Sequence, residues 1–307
     1  MNPSIIYGAG CQGVALLRLM QKNSETTDVH CFVDSNPTKQ GLTVEGLPVY
    51  PPDYLIPLAN GEPTVAVAVG GHYPAVRKLL ERQGLEEDRH FYDATPRPLP
   101  YSDLEPGFCA LRNKVRKHTL VSEDRLALLY QLSRQACKVR GDLAEVGVYR
   151  GGTALLMAEA LQESTQQLHL FDTFNGMPAS DPVIDLHLSG DFADTSVEAV
   201  SALLCDYPNA HLHPGLFPAT LPVNWSNKVF SLVHVDVDIY ASALACCEFF
   251  HPRLSPGGAM IFDDYGYPSC PGVRQAVDEY CCNHDLQVLY LQSGQALLQR
   301  SQSDKIS

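Results

Sequence analysis

The chain is 307 residues long, enough for two domains of ordinary size. Lys and Arg number 22 against 35 Asp and Glu, a formal net charge of −13 with no long basic run, which argues against nucleic acid and anionic membrane surfaces as main partners. A hydrophobic content of 45% supplies real cores, yet no run of about 18 apolar residues is present, so no membrane-spanning helix is expected.

The opening MNPSIIYGAG enters a strand at once without a basic leader region, so no signal peptide is expected. The ten cysteines include no C-x-x-C pair. Cys246-Cys247 and Cys281-Cys282 fall in helical patterns, and several others lie among apolar residues. Buried free thiols in a reducing cytoplasm are expected, and zinc is not, for want of ligand spacing.

Strand and helix patterns alternate, so the expected class is α/β with mainly parallel sheets, in two modules. The first, residues 1–94, reads as strand 4–7, helix 12–21, strand 29–33, strand 64–69, helix 73–83 and strand 90–92. Gly8-Ala9-Gly10-Cys11-Gln12-Gly13 joins the first strand to the first helix. Glycines there permit a tight turn and let a pyrophosphate approach the helix N-terminus. Asp34 follows the next strand, 21 residues after Gly13, where an acid accepting from a ribose hydroxyl would stand. The pattern fits a nucleotide-type pocket, with NAD as one ligand; a glycine turn kept for packing is the alternative. Four prolines, Pro96, Pro98, Pro100 and Pro106, mark residues 95–119 as a linker.

The second module, residues 120–307, opens with helix 122–137, which either packs on the sheet or serves as a lid. Strand 142–146, helix 153–161, strand 168–171, helix 197–205, strand 211–213 and strand 230–235 follow. A helical segment closed by Pro256-Gly257-Gly258 leads to strand 259–262, helix 272–282 and strands near 286–290 and 296–299.

Glu145-Val146-Gly147-Val148-Tyr149-Arg150-Gly151-Gly152 reads E-x-G-x-x-x-G-G, which is not the dinucleotide pattern. An acid before the first glycine suits a ligand with a cationic amino-acid end. Gly147 and Gly151 let the backbone approach it, and Thr153 can cap the helix. Asp172, with Thr173 beside it, ends the next strand 20 residues beyond Gly152, placed to accept from ribose hydroxyls. This is the layout of an S-adenosylmethionine site.

Asp236 follows the run 230–235, and Asp263-Asp264 follow the run 259–262. Ligands of open α/β sheets bind outside the carboxyl ends of strands. Three carboxylates meeting there make a hard, oxygen-rich site for Mg²⁺ or Mn²⁺; a turn cap at Asp263-Asp264 and a solvated strand-end acid at Asp236 are the alternatives. Asp236 is the candidate general base, and Asp238, two residues on, can share that role. His234 and Tyr265 are weaker candidates for substrate contact, His234 having the plain alternative of a strand histidine. The long loop 179–195, rich in Asp and Ser, reads as a lid or binding loop, with His187 and Asp191 as further site candidates.

The stretches GDLAEVGVYRGG, LFDTFNGMP, GLFPATLP, HVDVDIYAS, RLSPGGAMIFDDYG and GVRQAVDEY, in that order between about residues 120 and 300, resemble the macrocin O-methyltransferase (TylF-type) family. The resemblance implies a class I methyltransferase fold. It implies a methyltransferase that depends on S-adenosylmethionine and Mg²⁺ and acts on a hydroxyl, typically of a sugar. It places the metal ligands on Asp236, Asp263 and Asp264, the cofactor loop on Glu145, Gly147, Val148, Tyr149 and Gly151, and the ribose acid on Asp172. Residues 4 to about 93, with IIYGAGCQG, FVDSNPTKQG and GLPVY, resemble the small Rossmann-like domain of sugar acyltransferases of the sialic-acid O-acetyltransferase type, where it holds a nucleotide-sugar. A sugar-containing small molecule is therefore the expected acceptor and a homo-oligomer the expected assembly. Two readings compete with this one: an NAD(P)-binding oxidoreductase working through the first module, and a methyltransferase-like binding protein without turnover.

Overall fold

Short apolar runs that stay buried on both faces organise this chain. The computed structural model describes residues 4–23, 29–60, 64–223, 225 and 227–301, and divides the chain into two compact units, Met1–Pro98 and Leu99–Ser307.

In the first unit the chain order is β1 (Ile5–Tyr7), α1 (Cys11–Asn23), β2 (Cys31–Val33), β3 (Thr43–Val44), β4 (Leu47–Tyr50), β5 (Val65–Val67), α2 (Tyr73–Arg82) and β6 (Phe91–Asp93). They form a six-stranded sheet in the order β3-β4-β2-β1-β5-β6. The central strands IIY, CFV and VAV are wholly buried, as expected of parallel strands covered on both faces. The β3–β4 hairpin, absent from the sequence reading, turns on Glu45 and Gly46, both at positive φ (51° and 80°), which suits a two-residue hairpin loop. At the end of β1, a Cβ on Gly13 would overlap the Gly8 carbonyl, so close helix–strand packing requires glycine there.

The second unit begins with α3 (Tyr101–Leu104), α4 (Pro106–Val115) and α5 (Glu123–Ala136). Part of the expected linker is therefore helical. Two of its four prolines mark helix starts: Pro100 is the residue before α3, and Pro106 opens α4, where a missing N–H costs nothing. Phe108, Leu111 and Val115 then put a buried stripe at helical spacing into the core of this unit.

The sheet of the second unit comprises β7 (Asp142–Val146), β8 (Leu168–Asp172), β9 (Ala210–Pro214), β10 (Phe230–Val235), β11 (Leu254–Phe262), β12 (Leu289–Tyr290) and β13 (Ala296–Gln299). Its helices are α6 (Gly152–Ala160), α7 (Val197–Leu203), α8 (Tyr240–Phe250) and α9 (Pro271–Asn283). The seven strands run in the order β12-β13-β11-β10-β7-β8-β9, with β13 antiparallel to β11. Alternate residues serve opposite faces. Leu143, Leu232 and Ile261 pack with α4 to α7, whereas Ala144, Val233 and Met260 pack with α8 and α9. Helix α6 is apolar nearly all round, and Gly152 to Ala158 are all buried. Pro256-Gly257-Gly258 lies inside β11 as an irregularity against β10, not as a loop ahead of the strand; Gly257 takes φ +82°. All ten cysteines are free thiols, and no helix among the described residues is long and apolar enough to cross a membrane.

Candidate active site

Strand order reverses between β7 and β10: from β7 the chain proceeds outward to β8 and β9, then returns to β10 on the other side. A crevice opens at the carboxyl ends of such a pair. The two strand ends meet through backbone. The Asp236 N–H donates to the Val146 carbonyl at 2.9 Å, and Gly147 has φ +91°. A Cβ on Gly147 would overlap the Asp236 carbonyl, so only glycine fits. Asp172, at the end of β8, holds the loop that follows. Its Oδ2 accepts from the N–H groups of Val148 (2.7 Å) and Tyr149 (2.8 Å), and its Oδ1 from Phe174 N–H (2.7 Å). A carboxylate offers about four acceptor sites, so one remains free. Gly147, Val148, Tyr149, Thr153, Asp172 and Thr173 all line one cavity.

The same cavity receives Asp236, Asp238, Asp263 and Asp264. Asp263 is fully buried and well supplied with donors. Gln295 Nε2 donates to its Oδ1 at 2.7 Å, His234 Nε2 lies 3.5 Å from the same oxygen, and the Arg125 guanidinium pairs with Oδ2. Arg125 also stands 3.8 Å from Asp264 and over the Tyr267 ring. Burial alone would raise the Asp263 pKa, but His234, Arg125 and Gln295 outweigh it and hold the carboxyl below the usual range. His234 sits between Asp263 and Glu145, whose Oε1 is 2.8 Å from its Nδ1. Burial opposes charge on this imidazole, yet the two carboxylates lift its pKa to about 9.

The other carboxylates have compensating neighbours too weak to offset their burial. Burial, then the charges of Asp264, Asp263 and Asp238, push Asp236 well above the ordinary value. Burial and the charges of Asp238 and Asp263 raise Asp264 to about 7. Asp238 is raised as well, chiefly by burial. The buried Asp264 Oδ2 has no hydrogen-bond partner. A hard, underneutralised carboxylate set therefore faces a glycine loop across one cavity.

The sequence model of the macrocin O-methyltransferase family (TylF) matches residues 113–290. The chain belongs to the macrocin O-methyltransferase family. It is 33% identical over 179 residues to an 8-demethyl-8-(2,3-dimethoxy-alpha-L-rhamnosyl)-tetracenomycin-C 4'-O-methyltransferase of Streptomyces olivaceus, covering 53% of this chain and 67% of the relative. It is 29% identical over 187 residues to a mycinamicin III 3''-O-methyltransferase of Micromonospora griseorubida, covering 55% of this chain and 72% of the relative. The solved structure of the O-methyltransferase NovP aligns with a TM-score of 0.54 at 29% identity, covering 60% of this chain and 82% of that one. The protein is thus an S-adenosylmethionine-dependent O-methyltransferase with the class I fold. Those two relatives are named for a rhamnosyl-tetracenomycin and for mycinamicin III as their substrates.

Not every residue expected at this family's site faces the cavity. Glu145 is fully buried on the Leu143 face of β7, paired in register with His234 of β10, and its Oε2 has no partner. Strand alternation turns it away from the cofactor loop. Gly151 is the N-cap residue of α6 at φ +82°, packed against Val200 and Leu203, and it leaves Thr153 in the helix instead of capping it. Thr153 lines the cavity from there. His234 is a strand histidine engaged on both nitrogens. The Tyr265 hydroxyl donates to Asp278 at 2.6 Å, away from the cavity. Loop 179–195 contributes Phe192 to the lining, while His187 and Asp191 pair with each other behind it. Arg125, on the helix read only as a lid or packing element, and Gln295, which donates to the same carboxylate, are residues the sequence reading missed. An arginine on an amphipathic helix carries no local sign of the carboxylate it meets 138 positions later.

In the first unit the glycine loop and Asp34 do come together. Asp34 is buried; its Oδ2 accepts from Ala9 N–H (2.8 Å) and Lys39 Nζ (3.1 Å), and its Oδ1 from Asn36 N–H (2.8 Å). Three donors already occupy it, so its first role is to hold the loop. These residues lie outside the segment matched by the family.

Proposed function

We propose that this methyltransferase moves the methyl group of S-adenosylmethionine to a hydroxyl of a glycosylated natural product or sugar precursor, with Mg²⁺ or Mn²⁺ at its carboxylates. One observation carries the reading: the Gly147 loop and four carboxylates line a single cavity at the β7–β10 switch point. The sugar class rests on relatives named for rhamnosyl-tetracenomycin and mycinamicin substrates.

The residues present fit a hard divalent cation. Asp264 Oδ2 is buried without a partner, and burial, then the charges of neighbouring carboxylates, raises the pKa values of Asp236, Asp238 and Asp264. Asp263, with three donors, keeps about one acceptor site. Asp236, Asp263 and Asp264 would hold the ion, with Arg125 and His234 fixing Asp263 in place. A bound divalent ion orients an adjoining hydroxyl and lowers its pKa.

Asp236 is the group assigned to take the acceptor proton, with Asp238 sharing that role. Both line the cavity, where a carboxylate can accept the proton of an adjoining hydroxyl. Gly147, Val148 and Tyr149 border the donor through backbone, and Asp172 offers its remaining acceptor site to a ribose hydroxyl. Positioning of this kind supplies much of the rate in a bimolecular displacement. The Gly8–Gly13 loop with Asp34 is read as a nucleotide-type pocket of the first unit, with a role in assembly as the alternative.

Calorimetric titration of S-adenosylmethionine and of NAD⁺, each with Mg²⁺ and with EDTA, tests the reading. Micromolar binding of the methyl donor, and transfer to nucleotide-sugars or glycosides that stops in EDTA, are expected. Absence of donor binding under every condition would sink it and turn attention to the first unit.

A further inference from the structure

We propose that His187, Asp238 and Cys270 form a second metal site, selective for a thiophilic divalent cation such as zinc. The site goes beyond methyl transfer and does not depend on it.

Three separate segments converge there. His187 comes from the 179–195 loop, Asp238 from the turn after β10, and Cys270 is the N-cap residue of α9. His187 Nε2 lies 3.7 Å from Cys270 Sγ and 3.9 Å from Asp238 Oδ1, and the Cys270 thiol donates to Asp238 Oδ1 at 3.4 Å. Tetrahedral zinc with one nitrogen, one oxygen and one sulfur ligand at ordinary bond lengths sets those edges at about 3.4 to 3.6 Å. Closing the observed triangle onto an ion needs shifts of about half an ångström or less.

The orientation of the histidine strengthens the assignment. His187 Nδ1 faces Asp191 Oδ2 at 3.3 Å, and that carboxylate is itself held by the Leu188 N–H at 2.9 Å. A carboxylate on the far nitrogen fixes the tautomer that presents Nε2 to a metal. Cys270 is 2% exposed, while His187 and Asp238 keep about a fifth of their side-chain surface open, which leaves an entry side and a fourth position for water.

Chemistry separates this site from the carboxylate cluster. Mg²⁺ seeks an all-oxygen octahedron, whereas a sulfur, nitrogen and oxygen triangle selects zinc-like ions. Binding replaces the thiol proton, which leaves to solvent, by a metal–sulfur bond. The ion would tie the 179–195 loop to the sheet and to α9. The loop is already anchored nearby, where Asp185 accepts from Tyr240 N–H at 2.8 Å. Zinc bound here would also withdraw Asp238 from the cavity.

Titration of the metal-free protein with Co²⁺ in the presence of excess Mg²⁺ provides the test, read by the thiolate-to-cobalt charge-transfer band and the tetrahedral ligand-field bands. One equivalent is expected to saturate the signal, and Zn²⁺ to abolish it. Cys270→Ser should lose the charge-transfer band, and Cys282→Ser should keep it. Asp191→Asn should weaken binding about tenfold or more. His187→Ala, on the loop, repeats the test should Cys270→Ser fail to fold, with the tetrahedral signal lost. No charge-transfer band in the folded wild type, or an unchanged band in Cys270→Ser or His187→Ala, would overturn the proposal.

Discussion

Asp264→Asn keeps the shape of the side chain and removes its charge, so it probes the repulsion stored among the carboxylates. In the folded chain Asp264 titrates at about 7, against an ordinary 3.8, because of burial and the charges of Asp238 and Asp263. A carboxyl whose folded pKa lies above its unfolded one binds more protons in the folded state between the two values. Stability of the metal-free protein therefore falls as pH rises through that window. His234 acts in the same direction: raised to about 9, it stabilises fully below 6.5 and loses that contribution as pH passes 9. The Asp264 interval is worth at most about 4 kcal/mol, and roughly 2 to 4 kcal/mol once protons shared within the cluster are allowed for. For a unit of about 200 residues that corresponds to roughly 5 to 15 °C in Tm. Calorimetric melting in EDTA should show the Asp264→Asn variant above wild type by that margin at pH 8, with the gap closing by pH 4. Mg²⁺ should raise the wild-type Tm at pH 8 and do little for the variant. A variant that melts no higher than wild type at pH 8 in EDTA would refute the electrostatic account of the cluster.

Arg125→Met leaves the buried Asp263 carboxylate without its guanidinium, and a loss of about 3 to 5 kcal/mol in chemical denaturation is expected, partly recovered in Arg125→Lys. Gly147→Ala forces a left-handed φ on alanine and drives its Cβ into the Asp236 carbonyl. It should destabilise by more than about 1 kcal/mol and abolish binding of S-adenosylmethionine in calorimetry. Asp34→Ala frees the Ala9 and Asn36 N–H groups, costing about 1 to 3 kcal/mol, and hydrogen exchange of the 8–13 amides should accelerate.

Much of the second unit is legible in one dimension because its signals are local. The runs Asp142–Val146 and Phe230–Val235 end at Gly147 and Asp236, and the strands stop there too. The acids that end β8, β10 and β11 reach one cavity because parallel strands point their carboxyl ends the same way. Proline misled in 95–119, since the same residue that breaks a helix interior also opens a helix, and only the packing of Phe108, Leu111 and Val115 decides between the two. Glu145 shows the same limit at the site: its place beside the glycine loop is plain, but its direction follows from strand alternation and from the β7–β10 register that sets it against His234.

The sequence by itself determined the two α/β units, the glycine loops and the acids at the strand ends, since each depends on neighbours a few residues apart. Tertiary structure alone decided which carboxylates are neutralised and which repel, because Arg125, Gln295 and His234 reach Asp263 from 138, 32 and 29 positions away. It alone brought His187 to Cys270 across 83 positions. Charge interactions act through space, and only the fold sets those distances.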